Sequence, residues 1–155
     1  IEDGIAGTLW PGRLELLYRD SHPAVLLDVA HNPAGAWTLR AAIADLSEEP
    51  PRTLLFSCLR DKDLRAMAQI LFPLFDRTGV KSADHIVFAP IANPRAADVE
   101  ELLAAAEALQ VQAHPAATVK DAVALAQALT PAGGLIVATG SVYLVGEVRD
   151  LVLGS

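Results

Sequence analysis

Residues 25–39, VLLDVAHNPAGAWTL, limit the possible fold more than any other stretch. The apolar run Val25-Leu26-Leu27 reads as a strand buried on both faces, and it stops at Asp28. Asn32-Pro33 then opens a helix, with a capping amide followed by a ring whose φ is already helical. A buried strand running straight into a helix is the building unit of open α/β sheets, so Asp28 and His31 lie at a strand's carboxyl end. Ligands collect at that edge, where helix N-termini offer free N–H groups and partial positive charge. The same residues also suit a turn that only organises backbone. Spacing alone supports both readings.

The rest of the chain repeats the pattern. Leu14, Leu16 and Tyr18 alternate with Glu15 and Leu17, and Ser21-His22-Pro23 reverses the chain into Ala24–Val29, so the first two strands pair antiparallel. A helix over Pro33–Leu46 places Ala36, Leu39, Ile43 and Leu46 on one face, and Pro50-Pro51 precedes a strand over Thr53–Cys58. Asp61 caps a helix carrying Leu64, Met67, Leu71 and Leu74. After Gly79 comes a strand over His85–Ala89, and Asn93-Pro94 repeats the cap-plus-proline opening for a helix with Val99, Leu102, Ala106 and Leu109 inward. Val111–Ala113 reads as a short strand, and Thr118 with Asp121 as a capping box for a helix ended by Gly133-Gly134. Leu135–Ala138 is the last buried strand, and Thr139-Gly140-Ser141 turns into a final helix from Val142 to about Leu153. The expected fold is a three-layer, Rossmann-like α/β sheet of about six strands, mostly parallel, with one antiparallel edge strand and helices on both faces. Its polar turns, Asp28–Asn32, Arg60–Asp63, Asn93-Pro94-Arg95 and Thr139-Gly140-Ser141, then converge on one rim, as a binding site requires.

Bulk chemistry narrows the function. The 155 residues fit one domain, and with 52% hydrophobic but only 5% aromatic residues the interior is expected to be mainly Ala, Val, Leu and Ile. A formal charge of −7 with no basic patch argues against nucleic acid, and no apolar run approaches a membrane span. Cys58, the single cysteine, allows no internal disulfide and fits a reducing, cytoplasmic setting. The N-terminal segment IEDGIAGTLWPG lacks Met and the character of a signal peptide, and suggests a piece of a longer chain.

Candidate residues each have a functional and a structural reading. Arg13, after Pro11-Gly12, presents a planar fork of donors suited to phosphate, or is a solvated strand end. Asp28 accepts from ribose hydroxyls, or caps backbone N–H groups, or does both. His31 contacts a ligand, or bonds within its loop. Lys62, between Asp61 and Asp63, reads as solvated capping sooner than as a ligand contact. Thr139-Gly140-Ser141 combines close backbone approach with an N-cap hydroxyl, which suits an anion or a plain cap equally. His22, His85 and His114 are scattered without metal-ligand spacing, so no metal site is expected within the chain. Neither G-x-x-x-x-G-K-[ST] nor an early G-x-G-x-x-G is present.

The segments WPGRLE (10–15), LDVAHNP (27–33), DKD (61–63), NPRA (93–96) and TGSVYLVGEVR (139–149) together resemble the C-terminal domain of bacterial folylpolyglutamate synthase/dihydrofolate synthase, in the Mur ligase superfamily. The Asp-x-x-His-Asn-Pro element is shared with Mur peptidoglycan ligases, whereas WPGRLE and GSVYLVGEVR are similar to the folate branch. Val29 stands where the family often has Gly. The resemblance implies that residues 1–155 are a single Mur-ligase-type C-terminal domain whose N-terminal ATPase domain is absent, and that the isolated piece is inactive. The implied whole enzyme is an ATP-dependent ligase adding L-glutamate to dihydropteroate or to a reduced folate through an acyl phosphate, with ATP and Mg2+ and the metal ligands in the N-terminal domain. It further implies nucleotide contacts at Arg13 and Asp28, with Asn32 as a weaker one, and places His31 and Ser141 in the interdomain catalytic cleft. The alternatives are a peptidoglycan-type amino-acid ligase domain and a stand-alone nucleotide-binding or regulatory module.

Overall fold

The computed structural model describes residues 11–46, 50–60, 62–76 and 84–154. Six strands form one sheet: β1 (Glu15–Leu17), β2 (Ala24–Asp28), β3 (Arg52–Phe56), β4 (His85–Phe88), β5 (His114–Pro115) and β6 (Leu135–Thr139). Their order is β1-β2-β6-β3-β4-β5, with β1 antiparallel to β2 and every other pair parallel. The helices are α1 (Pro33–Ala44), α2 (Leu64–Leu71), α3 (Val99–Ala108), α4 (Val119–Leu129) and α5 (Val142–Leu153). Among the described residues no helix is long and apolar enough to cross a membrane.

Strand alternation builds two cores. Leu26, Leu54, Phe56, Ile86, Phe88 and Val137 point to one face, where they meet Ala36 and Leu39 of α1, Met67 and Leu71 of α2 and Leu102 of α3. Val25, Leu27, Leu55, Val87, Ile136 and Ala138 point to the other, against α4 and α5. Both faces of β2, β3, β4 and β6 are therefore apolar, as buried parallel strands demand. Aromatic residues are few but concentrated: Phe56 and Phe72 meet edge-to-face with centroids 5.3 Å apart, and Phe88 lies 5.5 Å from Phe72. All four phenylalanines are among the largest buried side chains, so the core is less purely aliphatic than the composition suggests.

The helix that follows β6 lies on the opposite face from those that follow its neighbours β2 and β3. Such a divergence opens a crevice at the strands' carboxyl ends. Register sets the height of that edge, since Asp28 pairs with Thr139, Thr139 with Phe56, and Phe56 with Phe88.

Local departures from the sequence expectations have physical causes. Asn93-Pro94 does not open a helix. The Asn93 side chain accepts from Arg95 N at 2.8 Å and its carbonyl from Ala96 N, and Ala96 then bridges Leu59, so the helix waits until Val99 behind Asp98. Val111–Ala113 is not a strand. Gln110, at φ 58°, donates to Glu107 O and Val111 donates to Ala106 O, a left-handed helix stop that uses Val111 as its apolar lock, and pairing with β4 begins at His114. Asp61 lies outside the described residues, and α2 is capped by Asp63, which accepts from Ala66 N. Pro73 ends α2 in a 3-10 turn, Phe72–Phe75. α4 stops at Leu129 with Thr130 as its cap, ahead of Gly133. Thr118 does accept from Asp121 N. Leu14 lies outside β1 in a left-handed conformation, φ 47°.

Gly146 sits on the exposed side of α5, and a Cβ there would meet nothing within 4 Å. Gly146→Ala is expected to stabilise the fold by about 0.5–1 kcal/mol by removing backbone freedom from the unfolded chain. Denaturant titration reads this as a higher midpoint at an unchanged slope.

Candidate functional site

The rim is assembled from loops that hold one another. Gly12, at φ 73°, lets the chain turn tightly, and its carbonyl accepts from Val29 N at 2.7 Å, which fastens the turn before β1 to the end of β2. Glu15 closes that turn by accepting from Gly12 N at 2.8 Å, and Arg149 of α5 donates its Nε to the same carboxylate at 3.1 Å. Arg13 is thereby carried outward on an anchored loop with its side chain exposed.

Asp28 is the hinge of this arrangement. Its Oδ2 accepts from Leu14 N at 3.0 Å and its Oδ1 from Ala30 N at 2.9 Å. The first bond holds Leu14 at positive φ, a conformation costing a non-glycine residue about 1–3 kcal/mol and kept only where the surroundings fix it. Burial pushes the Asp28 carboxyl above its usual value, while the two N–H donors and the Arg13 charge pull it back. A carboxylate offers about four acceptor sites, so two stay available on this half-buried group. The turn-organising role is thus realised, and it leaves capacity for a ligand.

His31 and Asn32 follow at the start of α1. Asn32 accepts from Gly35 N at 2.8 Å as the N-cap, and Pro33 takes the first helical position. His31 is exposed, with Nδ1 3.1 Å from Val29 O. A carbonyl only accepts, so in the neutral ring Nδ1 carries the proton and Nε2 keeps its lone pair toward solvent.

One strand over, Gly140 has φ 106°, and Ser141 caps α5 by accepting from Tyr143 N at 3.1 Å. Ser141 is buried, yet its hydroxyl proton is not consumed by that bond. The buried hydroxyls of Ser57 and Thr139 have no hydrogen-bond partner among the described residues. Val142 and Tyr143, beside Ser141, expose large apolar side chains.

The remaining motifs extend the same edge. Arg60 N donates to Arg95 O at 2.7 Å, tying the loop after β3 to the loop after β4. The Arg60 guanidinium reaches Asp98 at 2.6 Å and Glu101 at 3.2 Å. Glu101 also accepts from Asp98 N, and that bond with Arg60 holds its carboxyl below the usual range. Cys58, behind this loop, is buried, and its thiol is pushed up to about 12, so it is an inert packing group. The structure brings Arg13, Asp28, His31, Asn32 and Ser141 to one edge, spread over the ends of β2 and β6. Sequence reasoning missed Glu15 and Arg149 as the residues that hold the Arg13 turn. Both stood inside motif strings without a donor or acceptor role.

An open, mostly parallel sheet with helices on both faces, whose polar loops gather where those helices diverge, defines an α/β domain of the three-layer type. The family described as Mur ligase, glutamate ligase domain, matches residues 12–142, and the chain belongs to it. The folylpolyglutamate synthase of Lacticaseibacillus casei is 36% identical over 99% of this chain, and the dihydrofolate synthase/folylpolyglutamate synthase of Mycobacterium tuberculosis 34% over 97%. The chain spans 32% of each of these relatives. Among solved structures, Mycobacterium tuberculosis folylpolyglutamate synthase complexed with ADP superposes with a TM-score of 0.78 at 34% identity, covering 96% of this chain and 33% of that one. A bifunctional folylpolyglutamate synthase/dihydrofolate synthase with Mn, AMPPNP and L-glutamate bound gives a TM-score of 0.74 at 25% identity, covering 94% and 32%.

Proposed function

We propose that this chain is the C-terminal domain of a cytoplasmic, ATP-dependent amide ligase that adds L-glutamate to dihydropteroate, to folylpolyglutamates, or to both. The observation that carries the reading is the in-register meeting of Asp28 and Thr139, which sets the Arg13 turn, the start of α1 and the Ser141 cap along one edge in a chain of this family. In the reaction, a substrate carboxylate oxygen attacks the terminal phosphorus of ATP and ADP leaves. The glutamate amine then attacks the acyl carbon, the C–O bond breaks, phosphate departs with the electron pair, and the amine loses a proton. Positioning and charge neutralisation supply most of such catalysis.

Arg13 meets nucleotide phosphate with its exposed guanidinium, and Asp28 offers its two spare acceptor sites to ribose hydroxyls. Asn32 contributes more weakly, because its side-chain oxygen is already used in capping α1. His31 Nε2 accepts a hydrogen bond from an incoming N–H, and the Ser141 hydroxyl donates to an anionic group. Neither acts alone as nucleophile or base. Mg2+ is assigned to a preceding ATPase domain of the same polypeptide, which is also the partner suited to the apolar Val142–Tyr143 edge.

The test compares the chain alone with the polypeptide that includes a preceding ATPase domain. With ATP, Mg2+, L-glutamate and a pterin acceptor, the longer protein is expected to release ADP only when both organic substrates are present, and the chain alone to release none. Sustained ADP release by the chain alone, or a requirement for UDP-linked substrates, would overturn the proposal.

A further inference from the structure

His85 and His114 are separated in sequence but neighbours in the sheet. Val87 pairs with His114 in the β4–β5 register, so His85, two residues earlier on β4, shares its face and lies diagonally across from His114. Their ring centroids are 5.5 Å apart with planes inclined at 52°. Both rings are half-buried, which leaves solvent access, and neither has a ring hydrogen bond among the described residues. His114 lies on the edge strand β5 and His85 at the first residue of its neighbour β4, and β3 stands between these two strands and the ends of β2 and β6.

We propose that His85 and His114 form a two-imidazole chelate for a borderline divalent transition-metal ion, separate from the nucleotide edge. A metal–nitrogen bond of about 2.0–2.1 Å puts each ring centroid about 3.2 Å from the ion, so two imidazoles at a tetrahedral angle have centroids about 5.2 Å apart. The observed separation is within a few tenths of an ångström of that value. Imidazole pairs suit copper, nickel and zinc over magnesium or calcium, which take oxygen. Asp84, the carboxylate preceding His85 in the chain, is buried and accepts from Arg52 N at 2.9 Å, and among the described residues no group of three His, Cys, Asp or Glu converges. Water completes the coordination. A bound ion would cross-link the two-residue β5 to β4, where the sheet has its shortest strand.

Cu2+ is the probe, being the tightest binder of its series and readable by electron paramagnetic resonance. One Cu2+ per chain with two equatorial imidazole nitrogens is expected, together with a raised Tm. H85Q and H114Q should each weaken binding by at least about tenfold, the scale on which even an outer-shell partner changes metal affinity. Both side chains are half-exposed, so the variants retain the fold, and circular dichroism checks this. H22Q, which alters a histidine in the β1–β2 turn, should bind as the parent does. A spectrum with a single imidazole nitrogen, or affinity that survives both H85Q and H114Q, would overturn the proposal.

Discussion

Gly140→Ala is expected to destabilise the domain by about 3–5 kcal/mol, from backbone strain and overpacking together. At φ 106° an L side chain is strained whatever the space around it. The space is also absent: a Cβ at Gly140 would lie 2.1 Å from the Ser57 carbonyl oxygen and 2.7 Å from Cε2 of Phe56. The first obstacle is backbone at the end of β3, and the second is a ring locked against Phe72 and Phe88. Moving the first shifts the backbone just beyond the Phe56–Thr139 pair, and moving the second disturbs the aromatic cluster. For a domain of this size such a loss lowers Tm by about 10 °C. It also removes a large part of a total stability of about 5–15 kcal/mol, so poor yield of folded protein is a second readout. Gly146→Ala is the internal control, with the opposite sign. A Gly140→Ala protein melting within about two degrees of the parent would show that β6 and the loop after β3 do not approach this closely.

The layer order and the rim were legible because they rest on local chemistry. Asn32-Pro33, the run Leu135–Ala138 and the Thr139-Gly140-Ser141 turn each state their conformation through capping groups, β-branched content and glycine, and α5 spans the expected Val142–Leu153. What escaped depends on tertiary partners. Asn93-Pro94 has the composition of a helix start, but pairing of Ala96 with Leu59 diverts the chain first. Val111 has a strand residue's character, and the stop of α3 consumes it. The support of the Arg13 turn by Glu15 and Arg149 joins residues at opposite ends of the chain, and only the register of β1 against β2, with α5 beside them, creates it. The approach of His85 to His114 is likewise a property of β4–β5 register, invisible in linear spacing. The convergence of the rim could be anticipated. The residues that stiffen it could not.

Asp28→Ala is expected to cost about 2–4 kcal/mol, because two backbone N–H groups lose their acceptor and Leu14 loses what fixes it at positive φ. Asp28→Asn should fall between the parent and the alanine variant. Its single oxygen can accept from Leu14 N or Ala30 N, while its amide opposes the other donor. Because folding raises the Asp28 carboxyl above its ordinary value, the native state binds that proton more tightly than the unfolded state. Its contribution to stability is therefore greatest below the ordinary value, declines as pH rises through the raised one, and is constant above. The stability gap between parent and Asp28→Asn, measured at a series of pH values, should narrow across that window. A gap that widens would mean that the two N–H donors outweigh desolvation. The same pair of variants separates the two roles of the residue. If Asp28 only organises the turn, ATP use by the longer polypeptide should recover once either variant is assayed well below its Tm. If it also receives the ribose hydroxyls, KM for ATP should stay raised in the folded Asp28→Ala protein, since stability no longer limits the reading and only the lost acceptor sites remain.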